Sequence, residues 1–268
     1  GGKGVIGMKT RKATTEKDSS DFIEHLFTAS THDYLMFFTN TGRVYVERVH
    51  EIPDLGRAAK GRSIANVLEL KHSEKISDVI RVKATYGENK EDITWQQDHC
   101  ILFATRNGTV KKTALSDFAN VRRGGIIAIK IVPGDMLIEA RFTSGHDDAV
   151  LITSIGQSIR FHEDGVRTMG RSAAGVRGIR LGKDDHLVAL AVVGDDAPLL
   201  VAGENGIGKR TAFEDYRVQS RGGKGVKTMK ITAKTGKVVG GLTVRDGDEI
   251  MLITVDGQMV RTSVDGIR

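Results

Sequence analysis

The 268-residue chain is long enough for one large domain or two ordinary ones, and its 32 glycines against three prolines predict many tight turns. Its net charge of +6 favours anionic partners, while its single cysteine, Cys100, excludes an internal disulfide and a multi-cysteine zinc site. The sequence shows neither a signal peptide nor an apolar run long enough to cross a membrane, so a cytoplasmic, nucleoid-associated protein is expected.

Five apolar segments are each followed by a turn that contains glycine, which is the pattern of β-hairpins. The first segment, Tyr34–Phe38, precedes Asn40-Thr41-Gly42, and four later segments repeat the arrangement. Glycine adopts the positive φ angle that tight hairpin turns need. The turn glycines are Gly42, Gly108, Gly156, Gly206 and Gly257. Their intervals are about 50 residues, except for a longer first interval with a polar insert at 86–99, which is expected to be a surface loop.

A second element recurs between the hairpins. Its template is glycine, two residues, a small residue, and then an apolar, a basic and an apolar residue. Such alternation predicts a short strand with one buried face, here called the closing strand. Copies are found at Gly4–Thr10, Gly125–Ile131, Gly175–Leu181 and Gly225–Ile231, with a longer version at Gly61–Leu70. Repeats of about 50 residues with several strands each predict an all-β, propeller-like ring of blades.

Both ends of the chain fall inside repeats. The first four residues, Gly1-Gly2-Lys3-Gly4, repeat the Gly-Gly-Lys-Gly sequence at Gly222–Gly225. The last hairpin, at Gly257, is not followed by a further closing strand. We therefore expect a single domain over residues 1–268 that is a fragment of a larger subunit.

Basic residues recur at one place in the repeat. Lys112, Arg160, Arg210 and Arg261 stand four residues after a hairpin glycine, and only Val46, in the first hairpin, breaks the pattern. A solvated strand edge would explain any one of these cations, but their repetition predicts a basic rim around a disc, with duplex DNA as the expected partner. The candidate DNA-binding residues, from the hairpins and the glycine-rich loops, are Lys3, Lys9, Arg11, Lys12, Arg43, Arg57, Lys60, Arg62, Lys111, Lys112, Arg122, Arg123, Arg160, Arg171, Arg177, Lys209, Arg210, Arg217, Arg221, Lys224, Lys227 and Arg261.

Gln219-Ser-Arg-Gly-Gly-Lys-Gly225 differs in one residue, Ser220, from the Gln-Arg-Arg-Gly-Gly-Lys-Gly box of the DNA gyrase A subunit family. Further motifs, among them Glu51–Gly56, Leu115–Phe118 and Gly206–Thr211, resemble the carboxy-terminal domain of that family, and the resemblance covers essentially the whole chain. The residues of the box-like loops are Gly1, Gly2, Gly4, Gln219, Gly222, Gly223 and Gly225. Among them, Gly223 is expected to need backbone angles that only glycine adopts.

The resemblance implies a six-bladed β-pinwheel of four-stranded blades that wraps duplex DNA around its rim and presents it to the strand-passage core of a type IIA topoisomerase. Its implied partners are the remainder of the gyrase A subunit, together with the gyrase B subunit, and the isolated domain is expected to be monomeric. The implied role in this fragment is non-catalytic, without a cofactor or a metal. None of Tyr34, Tyr45, Tyr86 and Tyr216 matches the cleavage motif of the family.

Three alternatives remain open. The carboxy-terminal domain of the topoisomerase IV A subunit shares the fold, but usually has fewer blades and a weaker box. A protein-interaction propeller would be expected to carry Trp-Asp pairs, and Trp95 is not followed by aspartate. A nucleotide hydrolase is suggested by Gly203–Arg210, yet Arg210 stands where a P-loop needs serine or threonine. The polarity of His146-Asp147-Asp148 is explained by a turn rather than by a metal site.

Overall fold

The computed structural model describes residues 25–26, 32–48, 68–193, 199–205, 208–243, 249–253 and 259–263. Among these residues the regular elements are β-strands and short 3-10 turns, with no α-helix. The 3-10 turns are Thr94–Gln96, Leu115–Phe118, Glu163–Gly165 and Phe213–Asp215. The strands are β1 (His25–Leu26), β2 (Tyr34–Thr39), β3 (Arg43–Arg48), β4 (Ile76–Val82), β5 (Cys100–Thr105), β6 (Thr109–Ala114), β7 (Ile126–Ile127), β8 (Leu137–Thr143), β9 (Asp148–Thr153), β10 (Gln157–His162), β11 (Val176–Arg177), β12 (Leu187–Val193), β13 (Leu199–Gly203), β14 (Gly208–Thr211), β15 (Val226–Lys227), β16 (Val238–Thr243), β17 (Glu249–Ile253) and β18 (Met259–Ser263).

The five predicted hairpins are present as antiparallel pairs. They are β2–β3, β5–β6, β9–β10, β13–β14 and β17–β18. No helix in the described ranges is long and apolar enough to span a membrane. The insert at 86–99 packs onto the first sheet, because the Trp95 ring lies 5.2 Å from the Tyr34 ring and Arg48 contacts Asp92 at 3.1 Å. The predicted surface loop is thus a packed one.

Neighbouring repeats exchange strands. The described residues form three four-stranded sheets, β4-β2-β3-β7, β8-β5-β6-β11 and β12-β9-β10-β15, and two three-stranded sheets, β16-β13-β14 and β1-β17-β18. Each closing strand pairs with the hairpin of the preceding repeat: β7 follows the hairpin β5–β6 in the chain but pairs with β3. The all-β, propeller-like prediction is confirmed, and this exchange gives the propeller its pinwheel form. The count of six blades stays a prediction.

The sheets are arranged around a common centre. Strands β4, β8, β12 and β16 of successive sheets contact one another, so these strands lie innermost. The closing strands β7, β11 and β15 occupy the opposite edge of their sheets and therefore lie on the perimeter. The sequence did not predict the innermost strands, because their pairing depends on contacts between repeats.

The hydrophobic cores lie between neighbouring sheets, so the middle strands are buried on both faces. In β5, Phe103 packs against Phe38 of the first sheet, with 5.4 Å between ring centroids, while Leu102 points the other way, toward Leu151 of the third sheet. All four side chains are fully buried. Burial of such a side chain contributes about 1.5–3 kcal/mol. A further core joins the third and fourth sheets around Val150 and Phe213.

One backbone contact joins three of the hairpins, those at Gly42, Gly108 and Gly156, to the repeat that follows each of them. The carbonyl of the hairpin glycine Gly42 accepts hydrogen bonds from the amides of Ala128, at 2.8 Å, and Ile129, at 3.1 Å. The same contact recurs from Gly178 and Ile179 to Gly108, and from Thr228 and Met229 to Gly156. We call it the glycine clasp. Each of the three four-stranded sheets is therefore fastened at its turn by the chain that leaves its closing strand.

The clasp explains why the turn residue is glycine. Gly42, Gly108 and Gly156 have φ angles of 89°, 88° and 84°, in the left-handed region that favours glycine. A Cβ atom at Gly156 would also lie 2.2 Å from the Met229 carbonyl oxygen, which is closer than any real contact. Turn geometry and the crossing chain each exclude a side chain at these positions.

We predict that Gly156→Ala destabilises the fold by about 2 kcal/mol more than Gly134→Ala, because overpacking against backbone adds to the cost of positive φ. Gly134 is a matched control, since its φ is 81° and no atom lies within 4 Å of a Cβ there. Denaturant unfolding of both variants measures the difference. Equal losses would show that the clasp contributes nothing beyond turn geometry.

A charged cluster lies among the innermost strands. Arg141 of β8 contacts both Asp78 of β4 and Glu139 of its own strand. Asp78 accepts the Ala140 amide at 2.8 Å, and Glu139 accepts the Leu190 amide of β12 at 3.3 Å. The cluster therefore links three sheets. Burial raises the pKa of Glu139 to about 8, with Arg141 opposing the shift and Asp78 adding to it.

The raised pKa of Glu139 predicts a stability that depends on pH. Between its ordinary pKa of 4.5 and about 8, the folded protein keeps a proton that the unfolded chain releases, so the free energy of unfolding falls as pH rises. Glu139→Gln should therefore lose less stability than the parent between about pH 5 and pH 8, as measured by thermal unfolding. Glu88→Gln, at an exposed position, should keep the parental profile. Parallel profiles for the parent and Glu139→Gln would contradict the prediction.

Candidate nucleic-acid interface

The perimeter is built from closing strands and the loops that lead to them. We call residues 119–125, 167–175 and 217–225 the first, second and third rim loops; the third contains the box-like sequence. The second and third are held in the same way. The Met169 amide donates to the Lys112 carbonyl and the Gln219 amide to the Arg160 carbonyl, both at 2.7 Å. Each loop thus begins beside the hairpin of the preceding repeat.

Two of the cations that stand four residues after a hairpin glycine, Lys112 and Arg160, bind within the protein. Lys112 is buried, and its Nζ lies 3.1 Å from the Glu163 carbonyl oxygen and 3.5 Å from its carboxylate. Arg160 donates to the Phe213 carbonyl at 2.8 Å and to Asp148 at 2.9 Å. Glu163 and Phe213 begin equivalent 3-10 turns in successive repeats. The regular spacing therefore reflects a contact between blades.

This geometry corrects the expected role of several cations. Lys112 cannot reach DNA because its side chain is buried, and most of the Arg160 side chain is also covered. Lys111 is 0 % exposed, with its ammonium directed at backbone carbonyls. Arg43 donates to the carbonyls of Gly124 and Gly125, at 2.9 and 3.0 Å, and so supports the first rim loop. These four side chains hold the blades and loops together.

Two arginines of the rim loops are half-buried and connect neighbouring loops. Arg171 donates to the Ile127 carbonyl at 3.2 Å. At the equivalent place in the next repeat, Arg221 donates to the carbonyls of Gly165 and Arg177, at 2.6 and 3.0 Å. The exposed candidates on the perimeter are Arg122, Arg123, Arg177, Arg217, Lys224 and Lys227. Their contact with DNA stays a prediction.

Sequence reasoning missed one further row of cations. Lys130, Arg180 and Lys230 hold the basic position of the closing-strand template, directly after the residue that crosses the hairpin glycine. All three side chains are exposed, and none makes a hydrogen bond or ion pair within the described part of the chain. The Lys130 amide donates to Ala173 and the Arg180 amide to Gly223, so each of these two residues lies beside the next rim loop. The basic residue that recurs in the closing-strand template was the sequence signal for these three cations.

The backbone of the third rim loop differs from expectation at Gly223. The left-handed residues of this loop are Gly222, with φ of 87°, and Gly225, with φ of 73°. A Cβ at Gly225 would lie 2.3 Å from the Ser158 carbonyl oxygen, whereas the nearest atom to one at Gly223 is 3.9 Å away. Gly222 and Gly225 are therefore the residues that the loop requires to be glycine, with Gly225 also excluding a side chain by contact, and the expectation for Gly223 was wrong.

Several predicted residues cannot be placed. Lys3, Lys9, Arg11, Lys12, Arg57, Lys60, Arg62, Gly1, Gly2 and Gly4 lie outside the described residues. The side chains of Lys209, Arg210 and Arg261 are likewise outside the described part of the chain, although their backbones lie in strands. Their expected contact with DNA stays a prediction.

The structure also bears on the alternative sites. Gly208–Thr211 form β14, which pairs with β13, so the segment resembling a P-loop is a hairpin rather than the start of a helix. Asp147 accepts the Ser144 amide at 2.7 Å, as expected for a turn. Among the described residues, no three His, Cys, Asp or Glu side chains are grouped so that they could hold a metal ion.

Comparison with known proteins agrees with this architecture. Residues 33–83, 101–144, 147–194, 197–245 and 248–268 match the family described as "DNA gyrase C-terminal domain, beta-propeller". The chain is 42% identical over 270 residues to the DNA gyrase A subunit of Mycolicibacterium smegmatis, and 43% identical over 261 residues to that of Escherichia coli. These alignments cover 100% and 97% of this chain, but only 30% and 29% of the relatives.

Solved structures show the same fold. A crystal structure of the C-terminal domain of DNA topoisomerase IV is 28% identical with a TM-score of 0.69, over 89% of this chain and 72% of that one. A DNA gyrase A C-terminal domain is 24% identical with a TM-score of 0.70, over 92% and 81%. The resemblance first seen at Gln219–Gly225 is confirmed by the family match: the chain belongs to the DNA gyrase C-terminal domain family of beta-propellers.

Proposed function

We propose that this chain is a non-catalytic domain that wraps duplex DNA around its perimeter. The observation that carries the proposal is the row Lys130, Arg180 and Lys230, an exposed cation presented once per repeat on one backbone frame. Cations at a regular spacing suit the phosphates of a duplex that follows the rim. The exposed rim-loop and closing-strand cations would widen the same contact; they are Arg122, Arg177, Arg217, Lys224 and Lys227.

Binding of this kind is largely independent of base sequence. Phosphate contacts fix the position of DNA without reading the bases, and the energy of bending the duplex adds only a modest preference. The described residues contain no α-helix that could enter the major groove. DNA of any sequence should therefore compete for the perimeter at similar affinity.

We further propose that the domain serves DNA gyrase by presenting wrapped DNA to the strand-passage core and so directing negative supercoiling. The relatives are named as the A chain of DNA gyrase, and this chain spans about 30% of their length. The proposed partners are the remainder of that chain, together with the gyrase B subunit, and a cofactor in this domain is not needed for the role. The relatives that match 97–100% of this chain at 42–43% identity are gyrase A subunits, which favours gyrase over topoisomerase IV.

A charge-neutralising variant tests the proposed DNA contact. Replacing Lys130, Arg180 and Lys230 together by alanine should reduce the slope of log affinity against log salt by about 0.9 for each phosphate that is no longer neutralised, about 2.7 in all. The control removes three exposed lysines that flank the central strands, Lys75, Lys83 and Lys237. Titration of a random-sequence duplex at several salt concentrations measures the slopes. Equal reductions in both variants would contradict binding at the perimeter.

Buried and exposed lysines of the rim should behave in opposite ways. Lys112→Met leaves Glu163 without its buried cation, so we expect a loss of about 3 kcal/mol in unfolding free energy with an unchanged salt slope in the folded fraction. Lys224→Ala should leave stability within about 0.5 kcal/mol and lower the slope by about 0.9. Denaturant unfolding and DNA titration of each variant distinguish the two roles. A reduced salt slope for Lys112→Met would restore it as a DNA contact.

A further inference from the structure

Lys111 is a fully buried lysine of β6 whose ammonium donates its hydrogen bonds to backbone carbonyls and lies 5.4 Å from the centroid of the Phe103 ring. Its Nζ donates to the carbonyls of Ala128 at 2.6 Å, Gly170 at 2.9 Å and Arg171 at 3.0 Å. An ammonium has three N–H hydrogens, so these acceptors use all of them. A buried charge is costly unless it is satisfied in this way. Contact with solvent or with a ligand at the surface therefore does not explain why a lysine occupies this position.

The three acceptors belong to two different repeats. Ala128 follows the closing strand β7 and is held in the glycine clasp of the first sheet, with its amide 2.8 Å from the Gly42 carbonyl. Gly170 and Arg171 belong to the second rim loop, which precedes β11. Lys111 itself lies in the second sheet. One ammonium thus joins the chain leaving β7 to the loop that follows it around the perimeter.

The next repeat makes the same junction without a lysine. The Gly178 carbonyl, equivalent to that of Ala128, accepts the amide of Gly222 in the third rim loop at 2.7 Å. The position equivalent to Lys111 is Ile159, which is buried in the core between sheets. The other backbone hydrogen bonds of the two junctions correspond. The Lys130 amide donates to the Ala173 carbonyl at the first junction, and the Arg180 amide donates to the Gly223 carbonyl at the second. Lys111 therefore takes the place of a direct hydrogen bond between loop and strand.

We propose that Lys111 is a positioning residue of the DNA-binding perimeter: its ammonium fixes the second rim loop against residues 126–130, so that their exposed cations lie on one path for the duplex. This inference rests on the proposed function. It assigns Lys111 no contact with DNA, because the side chain is buried. It predicts that removing the ammonium disturbs the DNA path while every exposed cation remains.

The surroundings of Lys111 make the junction sensitive to pH. Burial lowers the pKa of Lys111 to about 8, with Asp117 opposing the shift and Arg171 adding to it. The neutral amine has two N–H hydrogens, so one of the three carbonyls loses its donor. Glu139, whose pKa is also raised to about 8, titrates over the same interval, whereas exposed carboxylates and guanidinium groups keep their charge between about pH 7 and pH 9. A change in DNA path that persists in Glu139→Gln over this interval would therefore report on Lys111.

Amide hydrogen exchange tests the junction without DNA. In Lys111→Met, protection of the Lys130 amide, which donates to Ala173 of the second rim loop, should fall at least about tenfold. The Arg180 amide, at the matched junction without a lysine, should keep its protection within about twofold. Equal loss at both amides would show only a general loss of stability and would overturn the proposal.

DNA bending tests the consequence. Energy transfer between the ends of a duplex of about 40 base pairs, which is well below one persistence length and nearly straight when free, reports bending by the chain. Lys111→Met should bind with an unchanged salt slope but bring the ends less close together, and its transfer should be the same at about pH 7 and pH 9. The parent and Glu139→Gln, which removes the other group with a pKa near 8, should both lose transfer over that interval. Ile152→Ala, a change in the core of the third and fourth sheets, should keep the parental pH profile.

The outcomes separate the two proposals. If the parent binds no DNA, the proposed function fails, while the exchange experiment still decides whether Lys111 holds the junction. If the parent wraps DNA and Lys111→Met wraps it equally well at both pH values, the positioning role is wrong. If Lys111→Met does not fold, the pH profile of Glu139→Gln beside that of Ile152→Ala decides the same question, and a Glu139→Gln profile without change between about pH 7 and pH 9 overturns the proposal.

Discussion

The glycine clasp is the contact on which the rest of this architecture depends. Three times, the carbonyl of a hairpin glycine accepts two amides from the chain that has just completed the sheet, as Gly42 does from Ala128 and Ile129. The contact fixes where the exchanged strand ends and which residue crosses the turn. Because the crossing residue packs over the glycine, the residue after it faces outward. The outward row of Lys130, Arg180 and Lys230 follows from that geometry.

The basic residues of the perimeter fall into two groups with different physical roles. Lys111, Lys112, Arg43 and Arg160 direct their charges at carbonyl and carboxylate oxygens inside the protein. Strand exchange leaves many carbonyls at the joints between repeats, and long cationic side chains can reach several acceptors at once. The exposed cations are available to phosphate because the buried ones already hold the loops. Under the proposed function, DNA affinity and the shape of the perimeter would therefore come from separate residues.

The centre and the perimeter of the disc differ in charge. Acidic groups Asp78 and Glu139 lie among the innermost strands, shared by Arg141, while the outward cations stand at the opposite edge of each sheet. A duplex that follows the perimeter would therefore meet positive charge with its phosphates and remain distant from the buried carboxylates. The closely packed turns supply rigidity, and bending of the DNA would be imposed by a fixed surface rather than by a flexible one.

The sequence by itself determined the repeat, the five hairpins and the all-β class, because glycine turns and alternating strands are local patterns of a few residues. The box-like sequence Gln219–Gly225 also identified the family, which the comparisons confirmed. Only the tertiary structure decided that β7 pairs with β3 of the preceding repeat, that Lys112 and Arg160 turn inward, and that Lys130 turns outward. A lysine or arginine looks the same in the sequence whether its side chain turns inward to bind carbonyls or outward to solvent. Its direction depends on carbonyls contributed by residues about 50 positions away, which no local pattern reports.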